Sequence, residues 1–224
     1  MRVWVWCFLA GLAVGHALPG FSAQSKGNDG QAGATSARSS VPGPATAPDT
    51  AMTDEEKANQ LSDQIGKLMV KCVNLLTAQD PLSLDFCKQQ RDLAEQYPAQ
   101  QRMVDRVLAH DEYGIALAAF DHKQEALGEF NQEIRLLPKA AKPGTLEWST
   151  AYWHRAMIHS QMNETKLADR DYRAAEESFR REQREKGAQH PDRKMRVVLR
   201  QHAALLQKMG ETTASQKLLQ EAAK

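Results

Sequence analysis

From Thr53 onward, apolar residues recur every three or four positions, in stretches separated by short polar breaks. The first stretch carries Ala58, Leu61, Ile65, Leu68, Met69, Cys72 and Leu76, and Thr53 with Glu56 has the capping-box spacing ahead of it. Asp80-Pro81 then reads as N-cap and first residue of a second helix bearing Leu84, Cys87, Leu93, Ala94 and Tyr97. Pro98 starts the next helix, through Met103, Val104 and Val107. Between Val107 and Ala140 the pattern splits in two. Leu108, Ile115, Ala119 and Phe120 lie on one side of Asp121-His122, and Ala126, Leu127, Phe130, Ile134 and Leu137 on the other. Pro138 is expected to stop that second helix, because it cannot donate the next backbone bond. After the loop Lys139–Gly144, helices are expected over Thr145 to Met162 and about Glu164 to Lys186, with Asn163 as their turn. Gly187 and Pro191 bracket the next boundary, and Gly210 divides the C-terminal segment. The pattern predicts an all-α chain of antiparallel helix pairs.

The stretch Val107–Ala140 resembles a tetratricopeptide repeat, a helix–turn–helix unit of about 34 residues. Gly114, Ala126, Phe130 and Pro138 carry the small–small–aromatic–proline signature, and Tyr113 also fits. His110 and Glu133 depart from it, standing where Trp and Ala are usual. A second unit registers from Ser149, with Ala168 and Tyr172 at the packing positions, and a third from Arg196, with Ala203, Leu219 and Ala222. The starts at 107, 149 and 196 are 42 and 47 residues apart, longer than the family period. One hairpin cannot bury its own apolar face, so the resemblance implies stacked TPR-like hairpins forming a short right-handed superhelix. The expected division is 1–23 as a secretory signal, 24–52 as a disordered linker, 53–98 as an N-terminal helical hairpin and 99–224 as the repeats.

Residues 1–23 join a positive Arg2 to the apolar run Val3–Val14, followed by small residues. Cleavage is expected near Ala17, Ser22 or Ala23; the alternative is an uncleaved anchor, although the run is short of the ~20 residues of a spanning helix. Export to the periplasm is the reading, with secretion or anchoring as alternatives. The Gly, Ser, Ala, Thr and Pro that follow cannot offset the cost of ordering their backbone. The chain has 29 basic and 28 acidic residues, and loses one Arg with the signal. The resulting balance argues against a nucleic-acid protein and against strong electrostatic membrane binding of the chain as a whole. Cys7 would leave with the signal. Cys72 and Cys87 stand either side of the Gln79-Asp80 turn and can face each other. Export favours a disulfide between them; two buried thiols acting as small apolar residues are the other reading.

In the resembled family, the first helix of each hairpin lines a concave groove. The residues that fall on its lining positions include Leu108, Asp111 and Ile115, then Thr150, Trp153 and Met157, then Arg200. The branch of the family that grips C-terminal carboxylates has Lys and Asn where this chain has Asp111 and Ile115, which argues against that role. The expected groove is apolar in its middle, at Ile115, Trp153 and Met157, with Asp111 and Arg200 tuning specificity. It would take a peptide or protein partner. The alternative occupant of the middle is the protein's own N-terminal hairpin or a linker. No phosphate loop, dinucleotide fingerprint, zinc-protease motif or nucleophile elbow occurs. His110, His159 and His202 fall on helix-packing positions, and Asp169 and Asp171 on different helix faces. No enzyme activity, cofactor or metal is expected. The functional expectation is an exported interaction module. The alternative is a structural or assembly subunit that self-associates through its last hairpin, Glu211–Lys224.

Overall fold

The structure is a computed structural model that describes residues 52–97 and 102–224. The expected signal, the linker and Pro98 lie outside the described residues. Eight helices occur within them: α1 (Asp54–Thr77), α2 (Leu82–Ala94), α3 (Met103–Ala119), α4 (Lys123–Ala140), α5 (Leu146–Gln161), α6 (Thr165–Glu185), α7 (Arg193–Lys208) and α8 (Thr212–Ala222). They pack in consecutive pairs, α1 with α2, α3 with α4, α5 with α6 and α7 with α8, and each pair rests on the next. The fold is therefore all-α, as the periodicity predicts.

The same turn closes all four hairpins. Gln79, Asp121, Asn163 and Gly210 adopt left-handed backbone, with φ of 58°, 70°, 62° and 83°. Behind each, two amides satisfy the orphan carbonyls of the preceding helix end. Asp80 N bonds Leu75 O, and Gln79 N bonds Leu76 O. His122 N bonds Leu117 O, and Asp121 N bonds Ala118 O. Glu164 N bonds His159 O, and Asn163 N bonds Ser160 O. Glu211 N bonds Leu206 O, and Gly210 N bonds Gln207 O. The hairpin α1–α2 has this turn as well, so the described residues hold four hairpins with one turn geometry, although the sequence marks the first as a hairpin and not as a repeat. Its Thr53 caps α1 through the expected box: Thr53 N donates to Glu56 Oε2 (2.8 Å), and Glu56 N to Thr53 Oγ1 (3.2 Å).

Each hairpin interior is sealed by small residues under large ones. At Gly114 a Cβ would stand 2.7 Å from Phe130 Cε1, which is why a glycine sits there. Ala126, Ala156, Ala168 and Ala175 are fully buried around Phe130 and Tyr172. In the first hairpin this place is taken by a disulfide between Cys72 and Cys87, whose Cα atoms are 5.0 Å apart. One apolar cluster runs from Cys72 through Phe130, Trp153 and Leu199 to Ala222.

Three boundaries differ from the sequence reading. Pro138 does not stop α4: it lies inside the helix, which continues to Ala140. Proline removes only its own donor, and Ala141 N still bonds Leu137 O (2.9 Å) beyond it. Helix α2 begins at Leu82, with Pro81 rather than Asp80 in the capping position; Asp80 Oδ1 nevertheless accepts from Leu82 N (2.9 Å). The described part of the next helix begins at Met103, after Arg102 in left-handed conformation.

Candidate binding face

The seven residues expected to line a groove fall into three groups. Ile115, Trp153 and Met157 are 1%, 2% and 1% exposed. They belong to the central apolar cluster, so the open apolar middle expected from the sequence is instead core. The physical reason lies in the neighbouring helix: Gln201 on α7 sits over Trp153 and accepts its Nε1–H (2.6 Å). Leu108, Asp111 and Thr150 are half-buried. Asp111 is committed to His154 on α5, whose Nδ1 donates to Asp111 Oδ1 (2.5 Å), and Thr150 Oγ1 donates to Leu146 O (3.0 Å). Only Arg200 is exposed. Of the two residues expected to tune specificity, Arg200 stands free for it, and Asp111 serves the joint between α3 and α5.

Of the positions expected to line the groove, the exposed ones lie on α7. Val197 is half-buried and Arg200, Ala204, Gln207 and Lys208 are exposed. Val197, Arg200, Ala204 and Lys208 follow each other at spacings of three and four residues and so form one stripe along the helix. The corresponding positions on α3 and α5 are buried or half-buried.

Buried polar groups cluster at the joints between hairpins. At the first joint, Nε2 of His110 donates to Glu95 (2.8 Å) and Nδ1 to Glu129 (2.5 Å). Gln90 Nε2 donates to Glu112 Oε2 (2.5 Å), and the Arg91 guanidinium lies 5.1 Å from the Tyr113 ring centre. At the second, Arg155 spans three helices: it donates to both oxygens of Asp171 on α6 (2.6 and 2.8 Å) and to Asn131 on α4 (2.9 Å). At the third, His202 donates to Glu176 (2.6 Å) and to Asp169 (2.9 Å). Asp169 and Asp171 thus face opposite neighbours, α7 and α5, as their two-residue spacing predicts.

The electrostatics follow from these contacts. Partial burial pushes the Glu95 carboxyl up, but the hydrogen bonds from His110 and Arg106 outweigh it and hold it below the usual range. Burial likewise opposes ionisation of Asp169, and Arg173 and His202 overcome it. Glu112 is the reverse case: burial dominates, a single amide from Gln90 compensates little, and its carboxyl is pushed up to about 8. Burial and the charge of Asp111 raise Glu133 well above the usual range, against the opposing pull of Arg155, and its Oε2 has no hydrogen-bond partner. Glu133 is one of the two departures from the repeat signature. The other, His110, is the residue that joins α2, α3 and α4.

Sequence reasoning placed the histidines at helix contacts but missed Gln90, Glu95, Glu112, Glu129, Gln201 and the pairing role of His154. Their partners lie between 11 and 48 residues away, so local periodicity carries no signal for them. Among the described residues no group of three His, Cys, Asp or Glu side chains could hold a metal ion, and no helix is long and apolar enough to cross a membrane. No protein-family model matches the chain, and no curated protein matches it.

Proposed function

We propose that this chain is an exported protein-interaction module of the tetratricopeptide kind, binding a peptide or protein segment on the exposed stripe of α7. The observation that carries the reading is the contrast between equivalent faces: buried or half-buried on α3 and α5, exposed at Arg200, Ala204, Gln207 and Lys208 on α7. A mixed stripe of short apolar and cationic side chains suits an amphipathic segment bearing acidic residues. Buried His110, His202, Asp171, Glu112 and Glu176 are engaged between helices, which supports binding rather than catalysis as the work of the molecule. The Cys72–Cys87 disulfide supports export, because such bonds persist in oxidising compartments.

Co-purification from the cell's own envelope tests the reading, with a Val197→Asp, Ala204→Arg double variant beside the natural chain. The partner recovered with the natural chain should be lost with the variant while the helical content stays unchanged. Retention of every partner by the variant removes α7 as the binding face.

A second reading, assembly through the last hairpin, has its own observation: Leu219 on α8 is 46% exposed although it falls on a packing position of the repeat pattern. A mass that rises with concentration and returns to monomer in Leu219→Lys would favour it. A monomer at all concentrations would not.

A further inference from the structure

Within a near balance of 29 basic and 28 acidic residues, unpaired cations gather in one part of the stack. The four tight turns lie on one edge of the stack, and the connections α2–α3, α4–α5 and α6–α7 lie on the other. Contacts fix this arrangement. Arg102, at the start of α3, donates to Ser62 and Asn59 in the first half of α1. Arg181, late in α6, packs on Gly144 in the α4–α5 connection, where a Cβ would collide with its Cδ. The turns on the first edge are mixed in charge: Asp80, Asp121, Glu164 and Glu211 stand beside Lys123, Lys166 and Lys208, and Lys123 pairs with Asp121 (2.6 Å).

The connection edge has acids where α1 starts, at Asp54, Glu55 and Glu56, and a basic patch further along it. Lys139, Lys142, Arg184, Arg193, Lys194 and Arg196 surround two neighbouring connections. None of the six has an ion-pair partner among the described residues. The acids beside them are engaged elsewhere: Glu182 with Lys186, Glu185 with Arg181, and Asp192 with the backbone of Met195. Glu147 is left, and its charge acts on Lys186. In the first hairpin, by contrast, Lys57, Lys67 and Lys88 each face an Asp within 3.4 Å. Three of the unpaired cations occupy the first turn of α7, where the helix dipole opposes positive charge. Folding gains nothing from that placement; contact with an anionic partner does.

Apolar groups share the edge. Val104, in the first turn of α3, is 44% exposed. Trp148 beside the α4–α5 connection is half-buried, with its Nε1–H held by Ala141 O (3.3 Å). The chain also enters α1 here, at Met52, with the apolar run Val3–Val14 upstream in the sequence. Cations spread over two connections, with amphipathic aromatic and valine side chains on the same edge, fit a bilayer surface. A narrow acidic peptide would use few of these features.

We propose that this edge docks on an anionic lipid surface, the six cations lying over headgroup phosphates and Val104 and Trp148 at the headgroup boundary. Co-sedimentation of the full chain with vesicles tests it. One set is phosphatidylcholine alone, and the other an equimolar mixture with phosphatidylglycerol. Binding should require phosphatidylglycerol and fall steeply as salt rises. Each surface cation contributes about a five-fold factor, so a triple variant, Arg184→Gln, Arg193→Gln and Lys194→Gln, should bind on the order of 100-fold more weakly. A control with the same net charge change away from this edge, Lys67→Gln, Lys88→Gln and Lys166→Gln, should bind like the natural chain. Equal binding to both vesicle sets would mean that an apolar segment alone is responsible, and would overturn the proposal. So would equal loss in the two triple variants, no binding at all, or binding to polyglutamate but not to vesicles.

Discussion

At the scale of single residues, the account rests on side chains whose surroundings leave them little choice. Gly114 is legible in sequence as a small residue opposite Phe130, and the structure supplies the reason in the 2.7 Å approach of the ring. Gly114→Ala should cost about 1–3 kcal/mol in urea unfolding, and Phe130→Leu in the same chain should return part of it; an unchanged midpoint would mean the ring moves aside freely. Glu112 gives a pH dependence. Between its ordinary value of 4.5 and about 8 the folded chain holds a proton on Glu112 that the unfolded chain has released. Stability from this group therefore falls as pH rises through that window and levels off above it. Glu112→Gln should be more stable at neutral pH by up to a few kcal/mol, and its slope over that range should be shallower. Parallel pH profiles for the two chains would refute this. Neither Glu112 nor Glu133 is visible as a buried acid in the sequence. An acid on a helix reads as solvent-facing until a helix from elsewhere in the chain covers it.

At the scale of elements, the repeat pattern is in the turns more than in the side chains that fill them. Gln79, Asp121, Asn163 and Gly210 share one backbone conformation but no chemistry, so the first hairpin is not recognisable from its residues as a copy of the others. The consequence is measurable. Left-handed backbone costs a residue with a Cβ about 1–2 kcal/mol. Gln79→Gly should therefore stabilise the protein by about 1 kcal/mol, and Gly210→Ala should destabilise it by a similar amount. The same sign for both substitutions would contradict the shared turn. The first hairpin also carries the Cys72–Cys87 bond, which closes a loop of 15 residues. Replacing both cysteines with alanine should cost about 2–3 kcal/mol in urea unfolding, and no loss would mean that α1 and α2 hold together by packing alone. Helix positions were legible because the 3.6-residue period is local. The fate of Pro138 was not, because a proline near a helix end can be carried for one more turn when the chain beyond it finds bonds.

At the scale of the whole molecule, stacking decides what is surface. Trp153, Met157 and Ile115 have the composition of a binding groove and the positions of one by resemblance, yet neighbouring helices cover them. Sequence spacing names the helix face; it does not say how closely the next hairpin approaches that face. Arg200 is exposed, and with Ala204 and Lys208 it defines the stripe left open on α7. The most direct test of the interaction reading places a photo-crosslinking amino acid at Ala204, with Arg170 on the exposed side of α6 as the comparison site, in the cell of origin. The account predicts a discrete adduct with another protein from Ala204 and none from Arg170. No adduct from Ala204, or the same adducts from both sites, would contradict it, and an adduct of the chain with itself would transfer the case to self-association.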